Sequence, residues 1–141
     1  MSGAAICKTC GQGVDLAGVH DCPGLGAEKA FKWRLVILES PYAGDIDKNV
    51  AYARAAMRDC LARGDAPVAS HLLYTQPGVL NDSLPWERKR GIDAGLAWGK
   101  VAEASVVYTD IGISKGVALG IERAFAEGRP VEWRTIEGWQ S

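Results

Sequence analysis

Between Val106 and Ala124 the chain passes from a β-branched run, through a polar turn, into a helix. Val106-Val107-Tyr108 reads as a buried strand. Thr109 to Lys115 is polar and contains Gly112, and the helix that follows sets Val117, Ala118, Ile121, Ala124 and Phe125 on one face. Open α/β sheets are assembled from units of this kind. They bind ligands at such turns, because free backbone N–H groups and the helix dipole converge there. The turn is neither a Walker A loop nor a G-x-G-x-x-G, so it marks a site without naming the ligand.

The rest of the chain from Lys32 onward has the same alternation. Arg34 to Glu39 is a strand, closed by Ser40-Pro41-Tyr42-Ala43-Gly44. Asp45 caps a helix whose apolar face runs Ile46, Val50, Ala53, Met57, Cys60 and Leu61, and Gly64 stops it. Ala66 to Tyr74 reads as a second strand. After a loop with Pro77-Gly78 and Asn81-Asp82, Ser83 caps a helix with Pro85 and Glu87 in its first turn that runs to about Val101. A strand over Ser105–Thr109, the helix to Ala126 and a last strand over Val131–Ile136 complete the pattern. Strands alternating with helices imply a mainly parallel sheet of four or five strands covered on both faces. The fold class is therefore α/β, a Rossmann-like three-layer sandwich over residues 32–137.

Residues 1–28 differ in kind, being rich in Gly and Cys and without period. Cys7-x-x-Cys10 followed by His20-x-Cys22 supplies four soft ligands, the number Zn²⁺ takes in tetrahedral structural sites. Four protein ligands leave no position for a substrate, so the expected zinc is structural. Cys60, on a helical apolar face, reads as a small core residue.

A net charge of −1 gives no reason to expect a nucleic-acid partner. No apolar run approaches the roughly 20 residues of a membrane helix, and the first residues lack the apolar core of a signal peptide. The expected location is the cytoplasm, of the producing cell or of a cell infected by a virus encoding the protein.

Three strand exits deliver polar residues to one rim of a parallel sheet: Ser40, Tyr42 and Asp45; His71, Tyr74 and Gln76; Thr109, Asp110, Ser114 and Lys115. Asp45 and Ser114 also suit helix capping. Glu39-Ser40-Pro41-Tyr42-Ala43-Gly44, Ser70-His71-Leu72-Leu73-Tyr74 and Asp110-Ile111-Gly112-Ile113-Ser114-Lys115-Gly116-Val117 together resemble the nucleoside 2-deoxyribosyltransferase-like superfamily, in a small branch found in bacteriophages and bacteria. The resemblance implies a Rossmann-like domain, a nucleoside or nucleotide at the strand exits, homo-oligomers that complete one another's pockets, and transfer or hydrolysis at an N-glycosidic bond.

In active transferases a helix glutamate, four residues past the loop glycine, attacks the anomeric carbon. Counted from Gly116, that position is Gly120, which has no nucleophile. The family's aspartate near the third strand corresponds at best to Glu103. Asp45, Glu87 and Asp110 are then the candidate catalytic carboxylates, and Ser40, Tyr42, His71, Tyr74, Thr109, Ser114, Lys115 and Gly116 the candidate ligand contacts. Two further classes stay open: a non-catalytic protein that sequesters a nucleotide-derived signal, as in phage counter-defence, and an interaction module built on the cysteine segment.

Gly91, Gly95 and Gly99 form a stripe on the second helix, and each helical Gly costs roughly 0.5–1 kcal/mol against Ala. The stripe needs a close contact, either within the chain or with the same helix of a second subunit. Trp86 and Trp98 flank it, and serve either as interface anchors or as core.

Overall fold

The computed structural model describes residues 32–140. Four strands and four helices alternate in this region: β1 (Arg34–Glu39), α1 (Ile46–Arg63), β2 (Asp65–Val68), α2 (Ser70–Leu73), α3 (Pro85–Trp98), β3 (Ala104–Tyr108), α4 (Lys115–Ala126) and β4 (Val131–Arg134). The strands form one parallel sheet in the order β2-β1-β3-β4. The architecture is the expected Rossmann-like α/β sandwich. None of the described helices is long and apolar enough to cross a membrane. The zinc candidates Cys7, Cys10, His20 and Cys22 lie outside the described residues.

Period-two alternation sorts the strand side chains between two faces. Val36 and Leu38 of β1 join Ala104, Val106 and Tyr108 of β3 against Tyr52, Ala56 and Cys60 of α1. Val107 faces the other way, into Val117 and Ile121 of α4. β3 is buried at every position, as a strand covered on both faces must be. Caps fix α1 and α4 where the residue types suggest. Asp45 accepts from Lys48 N, Gly64 ends α1 at φ +87°, and Ser114 accepts from Val117 N at the start of α4.

Several boundaries differ from the sequence reading. The expected strand over Ala66–Tyr74 is a four-residue strand followed by the single-turn helix α2. β2 is an edge strand, where Pro67 is tolerated because one side of the strand needs no ladder donor. Ser83 does not cap α3: its N–H and hydroxyl both go to Asn81 Oδ1, and Leu84 takes the cap position without a side-chain bond. α3 ends at Trp98, three residues short of Val101, and β4 ends at Arg134, before Ile136.

The buried face of α1 is also rotated from the expected one. Ile46 and Leu61 are exposed, while Asn49, Tyr52, Ala53, Ala56 and Cys60 are buried. Polar residues hold the inner face because they have partners: Asn49 Nδ2 donates to the carbonyls of Tyr42 (2.8 Å) and Ala43 (3.1 Å).

The glycine stripe packs within the chain. A Cβ on Gly91 would touch Leu80, one on Gly95 would lie 2.4 Å from Ser70 Oγ, and one on Gly99 would lie 2.9 Å from Arg129 Nη2. Trp86 and Trp98 are 67% and 46% exposed, so neither is core in this chain.

Candidate functional site

β1 and β3 are neighbours, but the chain leaves them toward opposite faces, to α1 after β1 and to α4 after β3. The loops after the two strands therefore diverge and leave a crevice beyond the strand ends, the position where open α/β sheets hold ligands. A cavity of about 320 Å³ occupies it. Glu39, Ser40 and Tyr42 come to it from β1, Ser70 and His71 from α2, and Ser114, Lys115 and Gly116 from the start of α4. Gly95 and Leu96 of α3, and Gly99 just past its end, also line it. The size falls in the roughly 300–1,000 Å³ of small-molecule clefts.

Glu39 is one of two acids that line this cavity. As the last residue of β1 it alternates with Leu38 and shares a face with Ile37, so it points away from α1 and toward α4. Gly120 of α4 lies directly opposite: a Cβ there would fall 2.4 Å from Glu39 Oε2 and 2.5 Å from Oε1. The place where the helix residue has no side chain is thus filled by a carboxyl from the sheet. Burial pushes that carboxyl up to about 8, and the attraction of Arg129 only partly offsets the desolvation. Arg129 itself is committed elsewhere. Its Nε donates to Ser105 Oγ (2.9 Å), and its Nη1 donates to Gly99 O (2.7 Å) and Glu127 Oε1 (3.1 Å).

Ser40 Oγ and His71 Nε2 are hydrogen bonded at 2.7 Å. Burial lowers His71 to about 4, so at neutral pH the ring is uncharged and one nitrogen remains an acceptor. Such a ring is a poor base, which counts against a serine–histidine nucleophile here. What the pair offers a ligand is a neutral donor and acceptor on a fixed frame.

Of the residues expected at the rim, the structure brings Ser40, Tyr42, His71, Ser114, Lys115 and Gly116 to one cavity. The others have different settings. Asp45 caps α1, and Glu87 borders a separate surface depression. The Asp110 carboxylate accepts from Tyr52 OH (2.5 Å) and from Ile136 N (2.9 Å). Tyr74 OH accepts from Trp98 Nε1 (2.9 Å), and Thr109 donates through N and Oγ1 to Arg134 O. Glu103 pairs with the backbone of Leu35, at the end of the sheet opposite the cavity.

Sequence reasoning passed over Glu39, Ser70 and Arg129. Strand alternation alone marks Glu39, since a charged residue that shares a face with Ile37 cannot be on the α1 side. Nothing local marks Arg129. Among the described residues no group of three or more His, Cys, Asp or Glu could hold a metal ion.

No curated protein matches this chain. A 2-deoxyribosyltransferase from the psychrotolerant bacterium Bacillus psychrosaccharolyticus superposes on it with a TM-score of 0.53 at 20% identity, over 76% of each chain. At that identity the likeness is one of fold. The family model described as a domain of unknown function, DUF7768, matches residues 34–134, from the first residue of β1 to the last of β4. The sheet, its helices and the whole rim of the cavity lie inside that match, and the chain accordingly belongs to the DUF7768 family.

Proposed function

We propose that this protein binds a nucleoside or nucleotide in the cavity beyond β1 and β3. The observation that carries the reading is the composition of the crevice. The half-buried phenol ring of Tyr42 offers a stacking surface, Ser40 and His71 are neutral hydrogen-bonding groups, and the first turn of α4 brings Ser114 and Lys115 to the mouth. A flat heteroaromatic base with a polar sugar uses both kinds of group. The likeness to a 2-deoxyribosyltransferase fold supports the same ligand class. Slow cleavage or transfer at the N-glycosidic bond accompanies binding in this reading.

The test is calorimetry on a panel of nucleosides, nucleotides, NAD and cyclic nucleotides, with free base measured by chromatography. Saturable binding of at least one is expected, weakened about tenfold by Tyr42→Ala or His71→Ala. No binding across the panel refutes the reading. A second reading, a protein that sequesters its ligand without turnover, is favoured by Gly120, where the resemblance places the helix nucleophile. It requires tight binding and no released base over hours.

Two features outside the cavity belong to the same proposal. The spacing of Cys7, Cys10, His20 and Cys22 supports a structural zinc. The exposure of Trp86 and Trp98 on α3 supports a homo-oligomer that covers them.

A further inference from the structure

We propose that Glu39 is the catalytic acid of this site, carried into the cavity by β1 through the space that Gly120 leaves open. The proposal rests on the nucleoside reading above and assigns the residue that acts on the glycosidic bond.

Three observations converge on Glu39. The first is steric: a Cβ on residue 120 would fall against the Glu39 carboxyl, so the acid fits there only while position 120 has no side chain. The second is exclusion among acids. Glu39 and Asp82 are the two acids lining the cavity, and Asp82 is paired with Arg88 Nη1 at 3.0 Å. The third is that the Glu39 proton is unspent. No hydrogen bond among the described residues engages its carboxyl, and the nearby Arg129 is held by Ser105, Gly99 and Glu127. Burial keeps the group neutral at pH 7, so it arrives at the ligand as a donor.

The step balances with water as the only co-reactant. The bond between the anomeric carbon and the base breaks, and its electron pair goes to the base nitrogen. The Glu39 proton moves to a ring nitrogen of the departing base. Water then enters on the face the base has left, its oxygen bonds to the anomeric carbon, and its proton returns to the Glu39 carboxylate. The products are the free base and the free sugar, with the enzyme unchanged.

Glu39→Gln keeps the shape of the side chain and removes the acid. With a nucleoside that binds the unmodified protein, base release is expected to fall at least about 100-fold, the lower end for a positioned general acid, while Kd stays within about threefold. Gly120→Ala leaves Glu39 in place but drives a methyl group into its carboxyl. Release should fall there too, and Gly120→Ala should cause no further loss in the Glu39→Gln protein. Release within threefold of normal in Glu39→Gln overturns the proposal, as does a protein that binds nucleosides and releases base from none of them. Failure to bind any nucleoside overturns the ligand reading itself, and is separable because binding and release are measured independently.

Discussion

Replacing Gly95 with Ala tests how closely α3 is seated over the cavity. The new Cβ would lie 2.4 Å from Ser70 Oγ and 2.6 Å from Ser70 Cβ, against an ordinary carbon contact of about 3.5–4.0 Å. Rotating the serine hydroxyl away does not relieve the clash, because Ser70 Cβ would itself lie only 2.6 Å from the new methyl group. α3 or α2 must retreat by about 1 Å. Overpacking of this kind costs about 1–3 kcal/mol, and the helix gains roughly 0.8–1 kcal/mol from losing a glycine. The net destabilisation is then up to about 2 kcal/mol, or several degrees in Tm for a domain of this size. In a Ser70→Gly protein the obstacle is gone, and Gly95→Ala should stabilise by up to about 1 kcal/mol. Urea denaturation of the four proteins gives both differences and their coupling. A stabilising Gly95→Ala in the unmodified protein, or the same effect in both backgrounds, would refute the close seating of α3 on α2. It would return the glycine stripe to the role of a subunit contact.

Stability should also record the two displaced ionisations in the cavity. Glu39 holds its proton in the folded state up to about pH 8 but loses it near 4.5 when unfolded, so its contribution declines as pH rises between those values. His71 behaves in the opposite sense: it gains a proton near 6.5 when unfolded but only near 4 when folded, so its contribution is lost as pH falls through that window. Denaturation midpoints against pH should therefore fall from 6.5 to 8 and lose that slope in Glu39→Gln; an unchanged slope refutes the assignment. Arg134 and Asp65 are ion-paired at 2.7 Å with side chains 7% and 6% exposed. Asp65 also accepts from Arg34 Nε at 3.1 Å, so Arg134→Met leaves it one guanidinium partner and should cost less than the roughly 3–5 kcal/mol of a fully stranded buried charge, a range that removal of both arginines should reach in urea denaturation. Metal analysis of purified protein should give about one zinc per chain, lost with Cys7→Ser and Cys10→Ser together, and a metal-free folded preparation would dismiss it. Light scattering at micromolar concentration should show at least a dimer, and Trp86→Ala should weaken it; a monodisperse monomer counts against any interface at α3.

The parts of this fold that were legible in the sequence are those decided within a few residues. Asp45, Gly64 and Ser114 terminate helices through bonds that span three or four positions, and the short apolar runs Leu35–Leu38 and Val106–Tyr108 announce β1 and β3. α2 was not legible because a single turn has no period to read. The inner face of α1 was misjudged because hydrophobicity alone ranks Leu61 above Asn49, whereas the carbonyls of Tyr42 and Ala43 make Asn49 the better inward residue. The cavity was visible as a set of strand exits, but its acid was not. Counting along α4 locates a missing side chain at 120 and cannot see that Glu39, 81 residues earlier, enters the same space. Asp110 appeared as a rim carboxylate for the complementary reason: its position fits, but Tyr52 and Ile136, which occupy it, come from distant parts of the chain.

The bonds at Asp110 also make residues 136–139 a tether to the loop at the cavity. Ile136 N is fastened to Asp110, and Trp139 packs edge-on against Tyr52, with ring centroids 4.9 Å apart, while Tyr52 holds both the carboxylate and the N–H of Asp110. Asp110 in turn opens the loop that delivers Ser114, Lys115 and Gly116 to the cavity mouth. Load applied to residues 136–139 by a fused protein or a sensor surface is passed through two side chains to that loop. Where a protein is attached to an instrument thus becomes a variable of the measurement. Immobilisation through this segment should report a faster ligand dissociation rate than the same protein free in solution.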